Sequence, residues 1–402
     1  MRVLHVITGL GVGGAELQLR ALLQHTRHDA EVVTLYNAGP VADMIRADGI
    51  SVRDLGMTSN TQLSAVFALR RMIRAGRFDV VHAHLYRSQV YGRLAAWLAG
   101  TPVVVSTEHS IGDTHLERRR MTRGVQALYL ATGLVSQATI AVSETVRERL
   151  ANWGVPARKL VLIPNGVDFS RVAFDPAARQ RTRHELGIDA DERVIGVLGR
   201  LDPNKRFDLV IRAARPLLDA RTRLLIVGDG SERRRWEAVA AGEGVADRVI
   251  FAGERHDVAA FLSTMDLFVA SSAQEAFGLS VLEALANGLP VLYTTCPAME
   301  GVDTDRARLV PGTVEDMRAA LAHDLGEIDA GRWERVEVSA VRQRYGIESV
   351  ADQVDGLYER LIARRRPGRH AATRPRTPTS ASQETATETA GTPVISTAGG
   401  RQ

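Results

Sequence analysis

The chain has 402 residues, 45% of them hydrophobic and 24% charged, with a net charge of +4. That balance is typical of a folded globular protein of about two domains. A single cysteine, Cys296, excludes a disulfide framework and a Cys-based zinc cluster. No stretch approaches the roughly 18 apolar residues of a membrane span, and the short apolar run after Met1 lacks a signal-peptide cleavage site. A reducing, cytoplasmic setting is the expectation.

Charge is unevenly spread: residues 1–185 carry +8 and residues 186–345 carry −6, as suits two domains with different partners. Aromatics at 5% and a modest net charge give no support to nucleic acid as a partner. Only Lys159 and Lys205 among the 51 basic residues are lysine, a compact point charge that arginine does not copy.

In chain order, strands are predicted at 3–7, 31–36, 80–84, 103–106, 138–142 and 159–163. Helices are predicted at 15–24, 41–48, 63–75, 88–99, 118–135 and 144–153, the last capped by Ser143. Near-continuous Val/Ile runs between helical periods specify a parallel sheet covered on both faces. The pattern restarts near residue 187. Strands at 193–198, 223–227, 249–251, 267–269 and 290–293 then alternate with helices at 206–218, 232–241, 258–263 and 279–286. The expected class is α/β, with two doubly wound Rossmann-like domains over 1–187 and 188–345. A segment over 346–366 follows, and then a disordered tail over 367–402, too poor in large apolar residues to offset its ordering entropy.

Three glycine-bearing turns carry the chemistry. Gly9, Gly11 and Gly14 spell the dinucleotide fingerprint after the first strand. The acid that should close the second strand is missing, because that strand ends Leu35-Tyr36-Asn37 and its Glu31 stands at the start. An NAD-dependent dehydrogenase is thereby weakened, and a loop able to approach an anion at a helix start survives. Gly199-Arg200-Leu-Asp-Pro-Asn-Lys205 likewise joins strand to helix and sets two cations where a diphosphate would bind. In 271–284 two acids eight apart, Glu275 and Glu283, flank a strand-to-helix turn at Gly278. Both can face one cleft while N–H groups of 278–280 face a phosphate.

These residues resemble family 4 of the retaining glycosyltransferases, the group 1 glycosyl transferases. Gly13-Gly14-Ala15-Glu16 is similar to the family's N-terminal loop, and Ser106-Thr-Glu-His109 to its catalytic-centre histidine segment. Ile163-Pro-Asn-Gly-Val-Asp168 is similar to its inter-domain signature, Gly199 to Lys205 to its diphosphate clamp, and Glu275 to Glu283 to its E-x7-E element. The five motifs run in family order through about residues 3–300.

The resemblance implies the GT-B fold, in which an acceptor domain faces a donor-nucleotide domain across a cleft and the last helix crosses back to the first. It implies that Arg200 and Lys205 hold the diphosphate, Glu283 the ribose, and Glu275 the donor sugar. Backbone groups at Gly13, Gly14, Phe277, Gly278, Leu279 and Ser280 would cradle phosphate and sugar. His109 would lie at the anomeric carbon, with Glu16 and His84 as acceptor-side candidates. The implied activity is metal-independent and cofactor-free transfer from a nucleoside-diphosphate sugar, with UDP the expected nucleotide, to a hydroxyl acceptor with retention. Glycans, glycolipids, exopolysaccharides and secondary metabolites are the acceptor classes. A lipid-linked acceptor would fit peripheral membrane contact through Arg118, Arg119, Arg120 and Arg123. The alternative within the fold is a nucleotide-sugar 2-epimerase. Asp303-Thr-Asp305 reads as a polar surface loop rather than a metal site, and His82 with His84 lacks a third zinc ligand.

Overall fold

The computed structural model describes residues 1–59, 61–112 and 121–365, together with a small antiparallel hairpin of two strands, His115–Leu116 and Arg119–Arg120. The tail expected over 367–402, and Arg118 of the basic segment expected at 118–123, lie outside the described residues.

Seven strands form the first sheet: β1 (Arg2–Ile7), β2 (Asp29–Thr34), β3 (Val52–Asp54), β4 (Val80–His84), β5 (Val103–Glu108), β8 (Ala138–Ala141) and β9 (Leu160–Leu162); the hairpin strands are β6 and β7. Their order is β3-β2-β1-β4-β5-β8-β9, and every pair is parallel. The second sheet uses β10 (Arg193–Leu198), β11 (Thr222–Val227), β12 (Val249–Gly253), β13 (Leu267–Ala270), β14 (Val291–Tyr293) and β15 (Ala307–Leu309). Its order is β12-β11-β10-β13-β14-β15, again all parallel. Two doubly wound sheets are what the sequence pattern implies. Every residue of β4 and β5 is buried, the expected state of central strands covered on both faces.

The helix expected over 118–135 is shorter. It spans Arg123–Gly133, because Thr122 caps it by accepting from the Val125 N–H and the hairpin precedes it. Elements absent from the sequence reading are β3, the hairpin strands β6 and β7, β15 and the helices Phe169–Val172, Pro176–Glu185, Val314–Asp329 and Ser339–Tyr345.

Helix Pro176–Glu185 also moves the boundary. Arg179 and Arg183 on it donate to Asp266 at 2.6 and 2.7 Å and to carbonyls of residues 263–265, all on the second sheet's side. The chain therefore changes sheets just after β9, earlier than the expected 187/188.

Two crossings join the sheets and pair with each other. The Val167 N–H donates to the Tyr345 carbonyl at 2.7 Å, and the Ile347 N–H donates to the Val167 carbonyl at 3.0 Å. A Cβ on Gly166 would fall 2.8 Å from Ile347 Cα, so this approach requires glycine. Helix Ile347–Arg365 then returns to the first sheet, where Val350, Val354, Tyr358 and Leu361 pack on Val3, Leu22, Val103 and Val105. No helix among the described residues is long and apolar enough to cross a membrane.

Candidate active site

The turns predicted to bind phosphate converge at the C-terminal ends of both sheets, the usual ligand edge of a doubly wound fold. After β10, Asp202 caps the short turn Pro203–Lys205 by accepting from the Asn204 N–H at 3.1 Å. Asn204 then ties that turn to the loop after β13: its side chain donates to the Gln274 carbonyl at 2.8 Å and accepts from the Gln274 N–H at 3.0 Å. The Ser271 hydroxyl donates to the Lys205 carbonyl at 2.7 Å. These bonds aim Lys205 at Glu275, and the two side chains form an ion pair of 2.6 Å. Ser272 donates to the same carboxylate oxygen at 2.7 Å. Burial alone would lower the Lys205 pKa, but the charge and hydrogen bond of Glu275, with Asp202 nearby, outweigh it and raise the pKa.

Arg200 is exposed and leans toward the first sheet's glycine loop. A Cβ on Gly13 would lie 2.5 Å from Glu16 Oε2 and 3.4 Å from Arg200 Nη2, so Gly13 lets both charged groups approach one point. Gly13 is the N-cap of helix Gly14–His25, where an anion is favoured. The fingerprint glycines do not build a dinucleotide site: Glu31 is spent on Arg2 at 2.5 Å and on Arg53 at 3.4 Å.

Helix Leu279–Ala286 starts at Gly278, which has φ +100°. Phe277 is buried against Tyr345, edge to face, with ring centroids 5.6 Å apart, and its carbonyl accepts from the Ala298 N–H. The N–H groups of Phe277, Gly278, Leu279 and Ser280 donate to no protein group among the described residues. Ser143, at the mouth of the first sheet, donates to the Ala276 carbonyl at 2.6 Å and so holds this turn in the cleft. Cys296, packed under Gly278, has its thiol pushed up to about 12 by burial and is inert there.

One turn into the helix, Leu279 and Glu283 share a face and line a cavity of about 270 Å³. The opposite wall comes from Val12, Leu17 and Gln18, and the crossing contributes Val167 and Asp168. Glu283 forms no hydrogen bond or ion pair among the described residues, and burial raises its carboxyl to about 7. Gln18 and Asp168 join the site only through the structure, although Asp168 is the last residue of the inter-domain motif.

His109 follows β5. His84, expected on the acceptor side, is 2% exposed and sits behind it: His84 Nδ1 is 3.2 Å from His109 Nε2, and His84 Nε2 is 3.0 Å from His5 Nδ1. Both of its nitrogens are taken, so it does not face an acceptor. His5 supplies the third histidine that sequence spacing lacked, and ligand nitrogens of His5, His82 and His84 lie within 4.8 Å of one another. His82, however, bonds the Tyr358 hydroxyl at 2.6 Å and the Thr107 hydroxyl at 2.7 Å, which leaves no free nitrogen for a metal.

Residues 12–171 match the family described as Glycosyltransferase Family 4, and residues 192–326 match Glycosyl transferases group 1. The chain belongs to this glycosyltransferase family. A D-inositol 3-phosphate glycosyltransferase of Thermobispora bispora is 29% identical over 368 residues, spanning 84% of this chain and 82% of that protein. A UDP-Gal:alpha-D-GlcNAc-diphosphoundecaprenol alpha-1,3-galactosyltransferase of Escherichia coli is 26% identical over 296 residues, 71% of this chain and 76% of its own. HepE of Anabaena, solved with UDP and glucose, superposes with a TM-score of 0.80 at 22% identity, covering 90% of this chain and all of that one. The architecture of this family-4 glycosyltransferase is thus the two-sheet GT-B arrangement.

Proposed function

We propose that this glycosyltransferase moves a sugar from a UDP-sugar to a hydroxyl acceptor with retention of configuration. The observation that carries the reading is the alignment of Lys205, Glu275, the open N–H groups of 277–280 and Glu283 along one wall of the cleft. In this reading the diphosphate meets Arg200, Lys205 and the helix start, the ribose hydroxyls donate to Glu283, and Glu275 accepts from the donor sugar. The C1–O bond to the diphosphate breaks as charge builds on the leaving oxygen, which the two cations stabilise. The acceptor oxygen bonds C1 on the same face, and its proton passes to the departing phosphate. No protein nucleophile is required, and the two cations with the helix start supply the positive charge that a metal would otherwise provide.

The E. coli relative acts on a lipid-linked acceptor, and a surface of this chain supports the same class. Helix Ser64–Gly76 exposes Phe67 (64%) beside Arg71 and Arg74, and Trp97 is 59% exposed at the end of the neighbouring helix. The two helices are joined by Arg70, whose Nε donates to the Leu98 carbonyl at 3.0 Å. No acid occurs between Asp54 and Asp79, and Arg71, Arg74 and Arg77 have no carboxylate partner among the described residues. Aromatic side chains among unpaired arginines suit an anionic lipid surface.

Titration calorimetry with UDP, GDP, ADP and NAD, on wild type and Glu283→Ala, tests the donor. UDP binding that the variant weakens is expected; NAD binding indifferent to the variant would overturn the reading. Transfer is expected to persist in EDTA, and a loss restored by manganese would point to Asp303 and Asp305.

A further inference from the structure

Four histidines, from β1, β4 and the end of β5, meet on the face of the first sheet that helix Ile347–Arg365 covers. His82 is satisfied separately by Tyr358 and Thr107. The other three form a single file, His109–His84–His5, joined by ring-nitrogen hydrogen bonds of 3.2 and 3.0 Å. Rings of neighbours in the file are stacked, with centroids 5.5 and 5.3 Å apart. The end nearest the cleft is open, since His109 Nδ1 is buried and has no hydrogen-bond partner. His109 and His84 also line a cavity of about 30 Å³ with Gln18, whose Oε1 is likewise buried and unpartnered.

A neutral imidazole has one N–H donor and one bare acceptor, and the bond at one nitrogen decides which the other is. In a file of three, every link must run in the same direction. If His109 Nε2–H donates to His84, then His84 donates to His5 and His109 Nδ1 is an acceptor. If the file runs the other way, His109 Nδ1–H is a donor. Reversal requires all three rings to change tautomer together, so the character of the open nitrogen is tied to the direction of the whole file. Burial holds His5 at about 3 and His109 at about 4, and keeps His84 well below its usual range. No ring can store a proton at neutral pH, so the file transmits orientation rather than charge.

We propose that His84 is a positioning residue: with His5 behind it, it locks the tautomer and ring plane of His109 at the reacting centre. The proposal rests on the glycosyl-transfer reading for its consequence in turnover, but not for the tautomer itself. The test uses the full chain with 15N-labelled histidine, and reads ring-nitrogen shifts in wild type, His84→Leu, His84→Asn and His5→Gln. His109 is expected in one tautomer in wild type and as a mixture in His84→Leu. Asparagine places an amide near the former Nδ1 but does not reach His5, so His84→Asn should keep His109 hydrogen-bonded and its tautomer less mixed than in His84→Leu. Release of UDP from UDP-glucose should fall about tenfold to a hundredfold in His84→Leu and less in His84→Asn, while the UDP dissociation constant stays within twofold. A His109 tautomer that is mixed in wild type, or unchanged in His84→Leu, would overturn the proposal. Should His84→Leu fail to fold, His5→Gln reads the same file from its far end: a mixed His109 tautomer supports the proposal and an unchanged one sinks it. Absence of UDP binding in wild type would remove the donor reading and leave the tautomer result standing.

Discussion

Lys205 Nζ and Glu275 Oε1 stand 2.6 Å apart, so the cation assigned to the diphosphate and the acid assigned to the sugar neutralise each other. The two side chains are only 20% and 19% exposed, and a half-sequestered pair of this kind is lost at a cost when one partner is removed. In the proposed donor reading, a diphosphate arriving in the cleft would replace Glu275 as the partner of Lys205 and free the carboxylate for a sugar hydroxyl. Donor binding would then be an exchange of partners within one network.

Lys205→Ala should weaken UDP binding by about 1.5–3 kcal/mol, the range for hydrogen bonds to charged groups. Glu275→Gln should leave UDP affinity equal or tighter, because it releases Lys205, while sugar transfer falls. Calorimetry on both variants separates the two effects. Wild-type UDP affinity in Lys205→Ala would remove the clamp.

Glu283 predicts a pH dependence with a definite sign. Its carboxyl is raised from 4.5 to about 7 by burial, so the folded chain binds this proton more tightly than the unfolded chain does. The associated stability is fully present below pH 4.5 and is lost as pH rises through about 7. Glu283→Gln should therefore match wild type in thermal unfolding at pH 4 and exceed it at pH 8. Binding runs the other way, since the ionised carboxylate is the better acceptor of two ribose hydroxyls. UDP-glucose, whose diphosphate lacks the ionisation near pH 6, should bind wild type more weakly as pH falls below 7. The glutamine variant should bind weakly at every pH. A parallel pH profile in the two proteins would contradict the assignment of Glu283.

What could be read without coordinates depended on how local the signal was. Strand β10 and helix Leu279–Ala286 match their predicted ends because each is a compact apolar run between charged residues or glycine. Strand β3 buries one of three residues and has no period to detect. Helix Val314–Asp329 was missed although Thr313 accepts from the Asp316 N–H, a cap visible as spacing. The residues proposed for the donor stand out in the sequence because Lys205 lies in one strand-to-helix turn and Glu275 and Glu283 flank another. The histidine file was not: His5 meets His84 only through the β1–β4 register, and His82 meets Tyr358 across 276 residues.

Gly278 starts helix Leu279–Ala286 in a conformation that other residues adopt with strain. Its φ is +100°, and an added Cβ would overlap the Cys296 sulfur. Gly278→Ala should cost about 1–3 kcal/mol in backbone strain alone, visible as a lowered Tm, and should weaken UDP-glucose more than UDP. Adding Cys296→Ala should recover part of the Tm by removing the overlap. A Tm unchanged in the single variant would show that the turn tolerates a side chain.

The aromatic and basic face at Phe67, Arg71, Arg74 and Trp97 gives a prediction independent of the cleft. The full chain should sediment with vesicles containing phosphatidylglycerol and not with pure phosphatidylcholine, and should release as salt rises, since the Debye length shrinks from about 10 Å at 0.1 M to about 3 Å at 1 M. Each arginine near an anionic surface contributes about 1 kcal/mol, so Arg71→Glu with Arg74→Glu should lower binding more than tenfold. Phe67→Ser with Trp97→Ser should weaken binding by removing the insertion that salt does not screen. Self-association through this face would set the same arginines against each other, so the variants should not change the molecular mass in solution. Vesicle binding that survives both pairs of substitutions would move the docking surface elsewhere, and mass that falls in the serine pair would make the face a contact between copies of the chain.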